Sequence, residues 1–162
     1  MTTVDTTAFR SAMARFASGV TIVTTLDGDG VLWGFTASAF SSLSLDPPLI
    51  LVCLDKRAES HTAFDHADRF AVSILAEGQS EVALRFATRG ADKFGGLDVI
   101  NGPATGLPLI PGAMVHLECQ MYERLPGGDH TILLGEVLHA QTEDKQPLLH
   151  YNRQFGSFQA ET

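Results

Sequence analysis

Residues 34–61 read GFTASAFSSLSLDPPLILVCLDKRAESH and open on a cluster of hydroxyls, Thr36, Ser38, Ser41 and Ser42. Hydroxyls of this kind donate to the polar edge of a ring or to a phosphate. The apolar run 49–54 behind them reads as a buried strand that delivers Asp55-Lys56-Arg57 to its exit, followed by Ser60 and His61. A second stretch, Arg85-Phe86 and then Asp92-Lys93-Phe94-Gly95-Gly96, again sets cation beside aromatic. A third, Gly127-Gly128-Asp129-His130, brings a histidine out of a tight turn; a fourth, Tyr151-Asn152-Arg153, follows the apolar pair Leu148-Leu149. Alone, Lys56-Arg57 reads as solvated loop charge and His130 as a hairpin cap. Together the stretches describe an apolar-walled, locally basic pocket suited to a flat anionic cofactor.

Other chemistries find little support. Gly28, Gly30 and Gly34 are spaced GxGxxxG, one residue off the dinucleotide fingerprint, and fall in an expected β-hairpin instead of at a helix N-terminus. With no Walker A sequence either, a phosphate would be held by hydroxyls, loop amides and Lys or Arg. His61 and His66, if helical, point about 140° apart. His116 and Glu118 share a strand face with no third ligand near them, the pattern of a solvated surface, so no metal is expected. No GxSxG elbow is present, and neither Cys53 nor Cys119 has a base beside it in sequence. The serines are therefore read as hydrogen-bond donors.

The elements that position these residues follow from periodicity. Phe9, Met13 and Phe16 mark a helix over 6–18, capped by Asp5 and ended by Gly19. Strands are expected over 20–26, up to Thr36, over 40–45 and over 49–54, with Asp46-Pro47-Pro48 breaking the pairing between the last two. A short helix over 58–67, a strand over 70–75 and a helix from Gly78 to Ala87 come next. Residues 89–112 form a long Gly- and Pro-rich loop of the kind that is functional or covered by a partner. A long hairpin over 115–121 and 130–140 turns at Pro126-Gly127-Gly128-Asp129. The expected fold is mainly β with short helices, an antiparallel barrel in one domain spanning 1–162.

Bulk composition sets the frame. Eleven Lys and Arg against 19 Asp and Glu give a formal charge of −8, which argues against a nucleic-acid partner. No apolar run reaches the roughly 20 residues that span a bilayer. The N-terminus lacks a signal-peptide pattern, and the two cysteines lie in apolar strands as expected of reduced core thiols in a cytoplasmic protein.

In this order, FRSAMARFASGVTIVTT, GFTASAFSSLSLDPPLILVCLDKRAESH, RFATRGADKFGG, GGDHTILLGEV and PLLHYNRQFGSF resemble the short-chain flavin reductases of two-component flavin-dependent monooxygenases. The resemblance runs over almost the whole chain. It implies a split β-barrel homodimer of the flavin reductase, FMN-binding type, with flavin near the dimer interface. The flavin-contacting segments of that family fall on Thr36, Ala37, Ser38, Phe40 and Ser41, then Cys53, Leu54, Asp55, Ser60 and His61, and on Arg85, Phe86 and Lys93. Lys56, Arg57 or Lys93 would offset phosphate charge. His130, as the catalytic position, and Tyr151-Asn152-Arg153 match positions associated with the nicotinamide. Two departures stand out: Ala37 where relatives often carry Asn, and Arg153 where some carry Gly.

The implied activity is transfer of hydride from NADH or NADPH to FMN or FAD, with free reduced flavin supplied to a partner monooxygenase. The two cofactors carry that chemistry, so no protein nucleophile or base is required. Two other readings stay open: a non-catalytic flavin-binding protein, and a flavoenzyme reducing another acceptor such as a corrin.

Overall fold

The computed structural model describes residues 3–162. Helix α1 (Thr6–Met13) is capped by Asp5, whose Oδ2 accepts the Ala8 N–H at 3.1 Å. It stops well short of residue 18: Arg15 and Phe16 bond back to the Ala12 and Met13 carbonyls, tightening the last turn. Gly19, expected to end the helix, lies instead in the two-residue strand β1 (Ser18–Gly19). No residue of α1 is buried.

Strands β2 (Thr21–Leu26) and β3 (Leu32–Ala37) form a hairpin about the expected 27–30 turn. Asp27 Oδ1 accepts the Asp29 and Val31 N–H groups there, and Oδ2 accepts Trp33 Nε1–H at 2.8 Å. Strands β4 (Phe40–Leu45) and β5 (Pro48–Asp55) form the next hairpin. Here Asp46-Pro47 turns the chain where a break was expected, and Pro48 pairs with Leu45. Proline is tolerated because Pro48 lies beyond the residues of β5 that pair with the strand on its other side.

Helix α2 (His61–His66), strand β6 (Arg69–Ile74) and helix α3 (Ser80–Ala87) follow. The long loop carries only the small hairpin β7 (Ile100–Asn101) and β8 (Pro108–Leu109). The chain then makes the long hairpin β9 (Val115–Gly127) and β10 (His130–Thr142), and a final one, β11 (Leu148–Tyr151) and β12 (Gln154–Ser157).

Seven strands form one antiparallel sheet in the order β3-β2-β6-β9-β10-β5-β4, beside a three-stranded sheet β1-β11-β12. Phe35 of β3 and Val52 and Leu54 of β5 stand far apart in that order, yet share a core cluster with Phe64, Phe70 and Leu133. The sheet therefore curls around this cluster, with β3 and β4 as its edges. Burying each such side chain contributes about 1.5–3 kcal/mol. A second cluster, with Ile22, Leu75, Phe86 and Ile110, lies under α3 on the opposite face.

Burial of both faces corrects the reading of His116 and Glu118 as solvated. Both are buried, at 4% and 0% exposure. His116 Nε2 meets the Ile110 carbonyl at 2.8 Å. The Glu118 carboxylate accepts the Ala104 and Thr105 N–H groups and the Thr105 hydroxyl. Alternation assigned these residues to one face correctly; what it lacked was the 100–112 segment folding over that face, which turns the carboxylate into a loop anchor. Cys53 and Cys119 are free thiols, half-buried and buried.

Candidate active site

The strand exits and helix ends converge on a cavity of about 250 Å³. β3 contributes Phe35 and Thr36, and the end of β5 contributes Cys53, Leu54 and Asp55. Ala58, Glu59 and Ser60 lead into α2, Phe86 and Ala87 close α3, and Arg89, Lys93 and His130 complete the lining. A larger groove of about 470 Å³ lies on the other side of Glu59, between the β2–β3 turn and α2. Its Asp27, Asp29 and Glu59 make it anionic, which disfavours a phosphate-bearing ligand.

Several lining residues are already engaged within the chain. Thr36 Oγ1 donates to the Ala83 carbonyl at 2.6 Å, tying β3 to α3. Phe86 is 1% exposed and meets Phe94 edge-on at 5.0 Å. Lys93 Nζ bonds Glu59 Oε1 at 2.7 Å and lies 3.4 Å from the Gly34 carbonyl. Glu59 also accepts the Gly90 N–H, so one carboxylate fastens the 89–94 loop to the cavity lip. The Lys93 ammonium, followed by the Gly90 amide, holds the Glu59 carboxyl below its usual range.

Asp55 pairs with Arg57 through two nitrogens, at 2.9 and 3.2 Å, and that guanidinium pulls its pKa down to about 2. His130 Nδ1–H donates to Asp129 Oδ1 at 2.7 Å, which leaves Nε2 for a ligand and lowers the Asp129 pKa. Burial raises the Cys53 thiol, keeping it a neutral wall group.

Ser60 stands apart. It is 1% exposed, lines the cavity and has the one buried side-chain oxygen without a hydrogen-bond partner among the described residues. Its backbone is already helical, so it makes no cap bond to α2. Leaving a buried hydroxyl unpaired costs about 1–3 kcal/mol, and a polar ring edge seated in the cavity would satisfy it. Ser60, the Cys53–Asp55 backbone and the aromatic wall of Phe35 and Phe86 thus fit a flat heterocycle, with Lys93 and His130 at its polar margin.

Of the residues singled out in the sequence, Thr36, Cys53, Leu54, Asp55, Ser60, Phe86, Lys93 and His130 meet at this cavity. Others lie beside it. Lys56 Nζ donates to the Gly128 carbonyl, His61 Nε2 bonds Thr131 Oγ1 and Arg85 donates to the Gly95 carbonyl. Ala37 is buried in the main core cluster and Phe40 packs against it, while Ser38 and Ser41 are exposed. Tyr151, Asn152 and Arg153 are exposed at the β11–β12 turn, where Asn152 and Arg153 have φ of 48° and 64°. The Asn152 N–H bonds Ala14, and none of the three lines the cavity of its own chain. Sequence reading missed Glu59 and Arg89. Glu59 gave a signal within the AESH run, as an acid between two basic stretches, but its pairing with Lys93 is a tertiary fact.

Comparison with known proteins settles the family. Residues 13–159 match the flavin reductase like domain. The chain belongs to that family. The domain is 46% identical over 149 residues to an NADH:riboflavin 5'-phosphate oxidoreductase of Streptomyces pristinaespiralis, covering 91% of this chain and 85% of the relative. It is 42% identical over 154 residues to the reductase component of a 4-nitrophenol 4-monooxygenase/4-nitrocatechol 2-monooxygenase of Rhodococcus opacus, covering 95% and 82%. The flavin reductase fold superposes with a TM-score of 0.90 on the NADH:FAD oxidoreductase of Streptomyces globisporus solved with NAD and FAD fragments. That pair is 39% identical and covers 98% of both chains.

Proposed function

We propose that this flavin reductase-like chain is an NADH:flavin oxidoreductase, which passes hydride from the reduced nicotinamide to FMN or FAD and releases the reduced flavin to a separate monooxygenase. The observation that carries the reading is the cavity holding the orphaned Ser60 hydroxyl between aromatic walls, with Lys93 and His130 at its margin. Both relatives described above carry reductase names, one as the reductase component of a monooxygenase, and this supports the partner. Flavin and nicotinamide supply the redox chemistry when bound. The chain's share is to hold the two rings in register and exclude water between them. Ser60 donates to the flavin's polar edge, His130 Nε2 orients the nicotinamide, and Lys93 offsets developing or phosphate charge.

The same proposal takes residues 1–162 as one domain, the curled seven-stranded sheet as a split barrel and the working unit as a homodimer. α1 supports the dimer: Phe9 and Met13, with Phe16 beyond its end, are 52%, 55% and 80% exposed and stand uncovered among the described residues. A second copy placed there would bring its own β11–β12 turn into the neighbourhood, since the Asn152 N–H is bonded to Ala14. A cytoplasmic location belongs to the same reading, with NADH at hand; among the described residues no helix is long and apolar enough to cross a membrane.

The test is NADH consumption by the purified chain, with and without added flavin. Loss of the nicotinamide absorbance band only when FMN or FAD is present supports the reductase. Flavin binding without NADH oxidation would instead identify a carrier and overturn it.

A further inference from the structure

The groove across Glu59 from the ring cavity encloses about 470 Å³, inside the ~300–1,000 Å³ of ordinary small-molecule sites. It is the larger of the two, and the reductase reading has no use for it. Part of its lining is apolar: Leu26 at the end of β2, Ala63 of α2 and Ala67 at that helix's C-terminal end. Another part is Trp33 of β3, the only tryptophan of the chain.

Trp33 is half-buried and packs against the main core cluster, which holds its ring in place. Its Nε1–H is spent on Asp27 Oδ2 at 2.8 Å. The indole therefore offers the groove a π surface and no hydrogen-bond donor. Such a surface attracts cations. The charges around it have the same preference. Asp27, Asp29 and Glu59 line the groove, while no Lys or Arg does.

Those carboxylates stay charged and are not all neutralised from within. The Trp33 N–H, and after it the Val31 amide, lower the Asp27 pKa. Glu59 is paired with Lys93, which lines the ring cavity and not the groove. Asp29 is exposed, and no salt bridge among the described residues uses its carboxylate. The remaining titratable group of the lining, His66, meets the Thr62 carbonyl through Nδ1 at 2.9 Å. No group of three or more metal-ligating side chains occurs among the described residues, so the ion that fits here is organic.

We infer that this groove is a binding site for a small organic cation, an ammonium or guanidinium head on a short apolar stem, seated against Trp33. The indole and the carboxylates take the head; Leu26, Ala63 and Ala67 take the stem. The site is separate from the ring cavity and stands whether or not the chain reduces flavin.

With a single tryptophan in the chain, indole emission reports on this groove alone. The full chain, without flavin, is titrated with n-butylguanidinium and with n-butylurea, a neutral molecule of the same shape. Trp33 emission is expected to change saturably with the cation. Butylurea should bind about tenfold more weakly, as for loss of a cation–π contact and one flanking ion pair. Asp29→Asn removes one charge of the lining while keeping the turn bond from its own N–H to Asp27. It should weaken cation binding about two- to fivefold and leave butylurea unaffected. No saturable change with the cation, equal affinity for butylurea, or undiminished cation binding in Asp29→Asn overturns the inference.

Discussion

At the scale of single residues, the candidate site is defined by which polar atoms the chain leaves free. Thr36, Arg57, His61 and Arg85 spend hydrogen bonds internally, whereas among the described residues Ser60 Oγ and His130 Nε2 do not. His130→Ala is expected to lower kcat/KM for NADH about tenfold, the worth of one positioning hydrogen bond, with flavin affinity unchanged by fluorescence titration. An unaltered kcat/KM would remove His130 from the site. The Glu59–Lys93 pair makes a pH prediction. Glu59 titrates below its ordinary 4.5 when folded, so the pair's contribution is complete above that value. It is lost as pH falls through the lowered folded pKa. The protection of the amides of residues 89–94, corrected for their intrinsic exchange rates, should therefore fall in acid below 4.5, and Glu59→Gln should abolish that dependence. Protection of these amides that does not change with pH in the unaltered protein would contradict the assignment.

Elements set those residues in place through close contacts that sequence patterns do not encode. Gly34 in β3 lies against α3: an added Cβ would stand 2.8 Å from Phe86 Cε1 and 3.2 Å from the Val23 carbonyl. Gly34→Ala must displace Phe86, a wall of the cavity, and is expected to cost about 1–3 kcal/mol and to raise KM for flavin. Denaturant melts and flavin titrations check both, and a stable variant with unchanged flavin affinity would show that Phe86 does not shape the site. Most strands were legible in the sequence because apolar alternation is a local signal, as in β9 and β10. The end of α1 was not, because Phe9, Met13 and Phe16 show helical spacing whether or not the backbone continues past Met13. The burial of His116 and Glu118 was hidden for a different reason. It depends on the 100–112 segment returning over the sheet, a contact distant in sequence. Resemblance located the cavity residues of β3 and β5 as a group; the partners that occupy them, Glu59 on Lys93 and Ala83 on Thr36, came only with the tertiary structure.

For the whole molecule, the uncovered face of α1 and the position of the Tyr151–Arg153 turn bear on assembly. Sedimentation of the full chain should give two copies, and Phe9→Ser with Met13→Ser should shift it toward one. A monomer at assay concentration would contradict the dimer and leave the turn without a nicotinamide role. A reductase of this kind turns flavin over and lets it go, beyond merely holding it. It is tested most directly by mixing the protein anaerobically with NADH and a large molar excess of FMN or FAD and following the bleaching of the flavin band. Steady bleaching of many flavin molecules per chain is expected, with matching loss of NADH. Bleaching that stops at one flavin per chain, or none at all, would contradict it.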